Sequence, residues 1–337
     1  MDGAQARQEA GDKQEEAGGE LIRRAARRLE GAWQDAVTVG DVLVAMPDHS
    51  VFRTLAPDGR PVIVKADLWQ QRAAAERRVT IAAHAAGLPV PEVVYADGGV
   101  PALLVLQHVP GPVLTAEAPP AAWADAGRTL RRVHDLTDPG GLPSTTDWRV
   151  HDRAAAGPAT AAGPAPAGRR PLRDALPEIA ARDAAAGAQR GMLTVREAAR
   201  LSDLLGGIFG AAAEPDRYCV LHGDPQPDHF LLDDRPGAGL ARIAALIDFG
   251  EACTGDPAWD LTILTLDNPG RLGDVLAGYQ PGAWLTERLR RMISPYRALR
   301  WLGEAHWLRE HGFSPEEPLA ALRQVIAAGL PDTLGDG

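Results

Sequence analysis

The chain has 337 residues and a formal net charge of −10, and 45% of its residues are hydrophobic. This is enough apolar material for one large two-lobed domain or for two domains. The acidic balance argues against a nucleic-acid-binding protein, which needs clustered Lys and Arg, and it is compatible with a cationic small substrate.

The cysteine content and the first residues indicate the cellular compartment of the protein. Cys219 and Cys253 are the only cysteines, too few for a disulfide framework and typical of a reducing cytosol. The first residues are charged and lack the apolar core of a secretory signal, and no apolar run approaches the length of a membrane span. We therefore expect a cytoplasmic protein with neither nucleic acid nor membrane as a partner.

The N-terminal region divides into two parts. Residues 1–20 are polar, charged and contain glycine, so we predict a disordered tail. From Leu21 to Trp33, apolar residues recur at helical spacing, which predicts a first helix. A basic membrane-surface helix is the weaker alternative, because Glu20 and Glu30 dilute the positive charge.

The next part of the chain predicts a small antiparallel sheet. Runs rich in β-branched and aliphatic residues alternate with Pro, Asp and Gly turn signals. The five predicted strands are Val37–Met46, Val51–Leu55, Val62–Leu68, Val90–Tyr95 and Pro101–Leu106, with a helix over residues 70–86 between the third and the fourth. Gly87 and Pro89 end this helix. We assign residues 21–107 to an N-terminal lobe.

Lysine is rare in this chain. Of its 35 Lys and Arg residues, only Lys13 and Lys65 are lysine. Lys65 stands at the end of a strand-like run, and a chain so depleted of lysine is expected to keep one where a compact ammonium is needed. We predict that Lys65 binds phosphate; an accidental surface lysine is the alternative.

The remainder, residues 108–333, predicts a mostly helical C-terminal lobe. Apolar stripes at helical spacing mark its helices. They are predicted at Trp123–Leu136, Leu172–Ala186, Thr194–Ala213 and Pro295–His311. Residues 138–171 are rich in Pro, Gly and Ala and predict a loose insertion.

Two polar clusters follow apolar strands in this lobe. Cys219-Val220-Leu221 precedes His222-Gly223-Asp224, and Ala245-Leu246-Ile247 precedes Asp248-Phe249-Gly250. Buried strands that end in Asp present carboxylates to a cleft and indicate a site for metal and phosphate. A zinc hydrolase is the weaker alternative, because His222 and His229 are separated by two prolines rather than set at matched spacing.

These clusters resemble the aminoglycoside phosphotransferase family, antibiotic kinases with a protein-kinase-like fold. The resemblance rests on His222-Gly223-Asp224, on Ile247-Asp248-Phe249-Gly250 and on Gly255-Asp256-Pro257-Ala258-Trp259-Asp260-Leu261. It implies an α+β, bilobal fold with a small antiparallel N-terminal sheet and a mostly helical C-terminal lobe. His229 departs from the pattern, since most members have Asn there; His is the variant associated with macrolide kinases and 2''-aminoglycoside kinases.

The resemblance also implies roles for particular residues. Asp224 would accept or orient the proton of the acceptor hydroxyl, and Asp248 and His229 would bind Mg²⁺. His229 would either ligate the metal directly or hold a water or phosphate. On the nucleotide side, the implied residues are Lys65 paired with Glu76, Ser50 at the phosphates, and the hinge residues Gln107 and Val109 at the base.

The sequence therefore predicts a Mg²⁺-dependent kinase. It would move the γ-phosphate of ATP or GTP to a hydroxyl of a small molecule, such as an aminoglycoside or macrolide antibiotic. Glu304 and Glu310 could line an acidic pocket for an amine. The alternatives are a kinase for a sugar, an amino alcohol or a hydroxy-amine metabolite, and a degenerate nucleotide binder, which His229 and the glycine-free loop 46–50 would explain.

Overall fold

The structure is a computed structural model that describes residues 3–147, 170–235 and 240–330, with side chains from residue 16 onward. Of the predicted insertion at 138–171, residues 148–169 lie outside the described residues.

The first helix is longer than the sequence predicts. Helix α1 covers Gly3–Trp33, so residues 3–20, predicted as a disordered tail, are helical. Ala, Gln and Glu are frequent in this stretch and are strong helix formers, so helical propensity extends the helix toward its N-terminus. Gly18 is already packed on the sheet, because a Cβ there would lie 2.5 Å from the carbonyl carbon of Ala45.

A five-stranded antiparallel sheet follows α1. Its strands are β1 (Val42–Ala45), β2 (His49–Leu55), β3 (Pro61–Asp67), β4 (Val93–Asp97) and β5 (Ala102–Gln107), in the spatial order β1-β2-β3-β5-β4. Helix α2 (Gln70–Ala85) connects β3 to β4. All five strands were predicted from the sequence, with ends displaced by a few residues.

Alternation along the strands decides which side chains face α1 and which lie on the opposite face of the sheet. Phe52, Val62 and Val64 are buried against α1 in one apolar cluster. Lys65 alternates with Val64 on β3 and pairs in register with Val51 of β2, so both lie on the opposite face. The ammonium is therefore presented away from the α1 core.

The rest of the described chain is mostly helical. Its helices are α3 (Pro120–His134), α4 (Leu172–Gln189), α5 (Val195–Ala211), α6 (Pro257–Leu264), α7 (Leu272–Tyr279), α8 (Ala283–Glu310) and α9 (Glu316–Ala328). Two short antiparallel pairs lie among them. The first joins β6 (Cys219–Leu221) to β9 (Cys253–Gly255), and the second joins β7 (Phe230–Leu232) to β8 (Ile243–Leu246).

Helix α8 begins earlier than predicted. The sequence predicts a start at Pro295, but the helix starts at Ala283 and contains Pro295 in its interior. Proline costs a helix one backbone hydrogen bond. Leu289 and Met292 before it and Leu299 after it are buried in the same core, so packing on both sides keeps the helix continuous.

The architecture is thus a small antiparallel sheet joined to a helical region, the α+β class predicted from the sequence. The sheet ends at Gln107, the last residue of the predicted N-terminal lobe. Within the described ranges, none of the helices is both long and apolar enough to cross a membrane.

Candidate active site

The loop after β6 makes a turn that only glycine accommodates easily. Gly223 has φ +90°, and a Cβ there would lie 2.0 Å from the carbonyl oxygen of Glu251. Both the left-handed backbone and the close approach exclude a side chain. Gly223 therefore lets the loop that carries Asp224 pass directly against the segment that carries Asp248.

Asp260 of α6 anchors this loop by accepting hydrogen bonds from its backbone. Its two carboxylate oxygens accept the N–H groups of His222 at 2.7 Å and of Gly223 at 3.1 Å. The carboxylate is fully buried and also lies 3.0 Å from Nε2 of His134. Asp260 thus braces the loop from within α6, whose N-cap is Asp256.

Lys65 joins three distant parts of the chain. Its Nζ lies 2.7 Å from Oε1 of Glu76 on α2 and 2.7 Å from Oδ1 of Asp248. Burial by itself lowers the pKa of Lys65, but Asp248 and Glu76 outweigh it and raise that pKa. The predicted Lys65–Glu76 pair is present, and the ammonium remains charged.

Asp248 is held in a special backbone conformation after β8. Its φ of 66° and ψ of 61° are left-handed, which is costly for a residue other than glycine and is typical of functional sites. Burial favours the neutral carboxyl, but Lys65 and His229 outweigh burial and hold the pKa of Asp248 well below its usual range. Asp248 is therefore an ionised acid that faces Lys65.

The tautomer of His229 follows from its hydrogen bond. Nδ1 lies 2.8 Å from the carbonyl oxygen of Asp224, which can only accept, so Nδ1 carries the proton. Nε2 is then the ring nitrogen left for another partner, and it lies 3.8 Å from Oδ2 of Asp248. Imidazole nitrogen fixed in this way is suited to bind a metal.

Asp248 and His229 would not by themselves complete the coordination of a metal ion. Across the side chains that the structure describes, no group of three or more His, Cys, Asp and Glu residues is placed to hold a metal ion. A divalent cation at these two residues would need further oxygen ligands from outside the protein. Hard cations that bind nucleotides are held in this way, by one or two protein ligands together with phosphates.

The carboxylate of Asp224 has a partner on each oxygen. Arg300 of α8 donates from Nη2 to Oδ1 at 3.2 Å, and Gln226 donates from Nε2 to Oδ2 at 3.0 Å. Burial raises the pKa of Asp224, but Arg300 and His229 outweigh it and lower that pKa. Asp224 is thus an oriented carboxylate in its ionised form.

Ser50 does not match its predicted place. The sequence predicts its hydroxyl as a phosphate ligand in a loop, but Ser50 lies within β2 and is fully buried. Its Oγ donates to the carbonyl oxygens of Gly18 at 3.3 Å and Met46 at 3.4 Å. Alternation places the Ser50 side chain on the α1 face, opposite Lys65, so it cannot reach a phosphate beside Lys65.

The hinge after β5 bears on the predicted contact with a nucleotide base. The N–H of Gln107 donates to the carbonyl oxygen of Glu92 at 2.9 Å, and that of His108 donates to Pro61 at 3.2 Å. The backbone N–H of Gln107 is therefore already hydrogen-bonded within the sheet. Val109 follows beyond the strand, and its contact with a base stays a prediction.

Sequence reasoning missed two arginines of the site. Arg300 meets Asp224 from a helix 76 positions further along the chain, and no local spacing signals such a contact. Nε of Arg72 on α2 lies 3.5 Å from Oε1 of Glu251 and 3.9 Å from Oδ2 of Asp67. Arg72 thereby connects α2 to the segment after Asp248.

A lysine–glutamate pair from β3 and α2 contacts the loop aspartate Asp248, and the loop that carries a second aspartate, Asp224, packs against the same segment. This is the arrangement of a kinase-like phosphotransferase. The chain belongs to the phosphotransferase enzyme family, whose model matches residues 48–302. It is therefore a phosphotransferase. No curated protein matches the chain.

Solved structures share the fold at low sequence identity. An apo thermostable mutant of aminoglycoside phosphotransferase APH(4)-Ia has a TM-score of 0.63 and 17% identity, with 90% of this chain and 99% of that one covered. Macrolide 2'-phosphotransferase MphH from Brachybacterium faecium has a TM-score of 0.54 and 20% identity, covering 90% and 96%. The amicoumacin kinase hAmiN has a TM-score of 0.57 and 16% identity, covering 89% and 90%. The kinase-like fold predicted from the sequence is thereby confirmed.

Proposed function

We propose that the chain is a Mg²⁺-dependent kinase that transfers the γ-phosphate of ATP or GTP to a hydroxyl of an antibiotic such as an aminoglycoside or macrolide. The observation that supports this most strongly is the direct contact of Lys65 with Asp248, at 2.7 Å across 183 positions of sequence. A cation and an acid brought together from the sheet and the helical region suit a bound triphosphate and its metal.

On the donor side, each proposed role rests on a contact. Lys65, oriented by Glu76, would meet the nucleotide phosphates. Asp248 and His229 would hold Mg²⁺, which would neutralise charge on the β- and γ-phosphates. Similar proteins support nucleotide use, because APH(4)-Ia has been seen with AMP-PNP and hygromycin B. The hinge backbone at Gln107 and Val109 would contact the base.

On the acceptor side, Asp224 would orient the hydroxyl and take its proton late in the transfer. Acidic side chains are gathered near it. Burial raises the pKa of Glu304, and the nearby Asp267 and Asp224 act in the same direction. Glu310 is not free for a ligand, since Arg190 lies 2.7 Å from it. Arg300 acts in the opposite direction on the pKa of Glu304, and Glu304 in its ionised form would suit an acceptor with amino groups.

The biological setting is proposed on the same basis. The aminoglycoside, macrolide and amicoumacin kinases that share this fold suggest a role in antibiotic resistance. Cys219 and Cys253 are both free and buried, which fits a cytoplasmic enzyme supplied with nucleoside triphosphate.

The test is a radiolabelled-phosphate transfer assay with aminoglycoside, macrolide and metabolite acceptors, run with ATP and with GTP. We expect an antibiotic to be labelled, and Asp224→Asn to lower the rate by about 100-fold or more. Asp234→Asn, an exposed acid outside the site, is the matched control and should keep the wild-type rate.

Three results would contradict the proposal. Equal rates for Asp224→Asn and wild type would show that Asp224 does not have the catalytic role assigned to it. Labelling of a sugar or amino alcohol, but of no antibiotic, would identify a metabolite kinase. Nucleotide-dependent stabilisation without product from any acceptor would identify a degenerate nucleotide binder.

A further inference from the structure

Arg300 is the cation that directly contacts the side chain of Asp224. It reaches Oδ1 from α8, and the two side chains are 21% and 24% exposed. A partly buried ion pair of this kind is screened less by water than a surface pair. The contact therefore constrains the carboxylate more than an exposed arginine would.

Two packed helices together fix Asp224 from two directions. Asp260 of α6 holds the backbone of the catalytic loop at His222 and Gly223, and Arg300 of α8 holds the side chain. The two helices are themselves tied together, since Arg288 and Tyr296 of α8 both donate to Oδ2 of Asp256, the residue that caps α6. Arg300 thus projects from a helix whose position relative to the loop is fixed.

The pattern of hydrogen bonds leaves room for a substrate. Arg300 occupies one lone pair of Oδ1 and Gln226 one lone pair of Oδ2. Each carboxylate oxygen has a second lone pair that can accept a hydroxyl proton. The two donors therefore fix the plane of the carboxylate without blocking it.

We propose that Arg300 is a positioning residue for phosphoryl transfer, which holds the Asp224 carboxylate in the orientation that meets the acceptor hydroxyl. This inference rests on the proposed function. In phosphoryl transfer the protein contributes chiefly position and electrostatics, and a small displacement of a reacting group can cost about 100-fold in rate. The arginine acts through Asp224 and does not itself touch the reacting atoms.

The test compares Arg300→Ala and Arg300→Lys with wild type in steady-state transfer. For Arg300→Ala we expect kcat to fall by about 100-fold while KM for the nucleotide stays within a factor of about two, because no nucleotide contact is lost. Arg300→Lys should recover part of the rate. Guanidinium chloride at concentrations that leave the protein folded should raise kcat of Arg300→Ala, and tetramethylammonium chloride should not.

Arg291→Ala is the matched control. Arg291 lies on the same helix, has a side chain that is 69% exposed and, among the described residues, pairs with Glu287 one turn earlier. It should keep the wild-type kcat and show no response to guanidinium.

The outcomes separate this inference from the proposed function. A kcat for Arg300→Ala close to that of wild type would overturn the positioning role alone. A loss of kcat that guanidinium does not restore, together with a lower melting temperature, would also overturn it, since Arg300 would then be structural. A wild-type enzyme that labels no acceptor at all would overturn the proposed function and this inference together.

Discussion

At the scale of single residues, the site depends on hydrogen bonds that determine which atom faces the ligand. His229 illustrates this, because its Nδ1–H is used by the carbonyl of Asp224 and only Nε2 is directed toward Asp248. An amide oxygen at this position could occupy a similar place, and an aliphatic side chain could not. His229 in place of the Asn of most members would therefore keep a metal ligand while altering its chemistry.

Substitution of His229 tests this reading. We expect His229→Leu to raise the Mg²⁺ concentration needed for half-maximal transfer by about 10-fold or more. Mutation of a residue that only hydrogen-bonds to a metal ligand already lowers metal affinity by about 10-fold or more, and loss of a ligand should have at least this effect. His229→Asn should stay within a few-fold of wild type. The measurement is a Mg²⁺ titration of the transfer rate at fixed nucleotide. Identical titrations for wild type and His229→Leu would remove His229 from the metal site.

Sequence reasoning predicted those residues whose role is set by a local motif. Asp224, Asp248 and Asp260 each lie in a short motif, and the Lys65–Glu76 pair was implied by the family resemblance that these motifs carry. Arg300 could not be found in this way, because its contact depends on how α8 packs on α6. Ser50 was misplaced because the sequence alone does not say which face of β2 is covered by α1.

At the scale of elements, close backbone approach positions the helices that support the catalytic loop. Helices α3 and α7 cross at Gly127 and Gly278. A Cβ on Gly127 would lie 2.1 Å from the carbonyl oxygen of Val275, and one on Gly278 would lie 1.6 Å from that of Ala124. The same two helices hold His134 against Tyr279 at 2.7 Å, and His134 in turn contacts Asp260.

Glycine replacement tests this crossing. We expect Gly127→Ala and Gly278→Ala each to lower the free energy of unfolding by about 1–3 kcal/mol, because the helices must move apart. Gly207→Ala in α5 is the control, since a Cβ there meets nothing within 4 Å, and it should be neutral or stabilise by up to about 1 kcal/mol. Urea unfolding measures all three. Equal stability of the three variants would contradict the tight crossing.

The strands of the sheet were largely predictable, and the missed helix starts have separate causes. Strands β1–β5 follow from alternation and turn residues, which are local signals. The starts of α1 at Gly3 and α8 at Ala283 were missed. The start of α1 has few hydrophobic residues, but its residues have high helical propensity and form a helix. In α8, proline locally disfavours a helix, but the buried residues on both sides of Pro295 keep the helix continuous.

At the scale of the whole molecule, ion pairs connect the sheet and α2 to the helical region around the cleft. Lys65 contacts Asp248, and Arg72 lies near Glu251. A nucleotide bound with Mg²⁺ would insert into this set of charges and add contacts to both sides. Ligand that binds only the folded state stabilises it by mass action.

Thermal unfolding with nucleotide measures this coupling. At a nucleotide concentration 100 times Kd, we expect stabilisation of about 2.7 kcal/mol for wild type. Lys65→Met should lose most of this shift at the same concentration, because the phosphates lose their ammonium. Arg60→Met, which removes an exposed cation from the turn between β2 and β3, should keep it. An undiminished shift in Lys65→Met would show that nucleotide binds without Lys65.

The most direct measurement is a crystal structure with Mg²⁺ and a non-hydrolysable nucleoside triphosphate. The proposed mechanism predicts that Lys65 Nζ contacts the phosphates, that Asp248 and His229 bind the metal, and that Asp224 faces the γ-phosphate with Arg300 still on Oδ1. A nucleotide bound elsewhere, or a triphosphate that touches neither Lys65 nor metal held by Asp248, would contradict it.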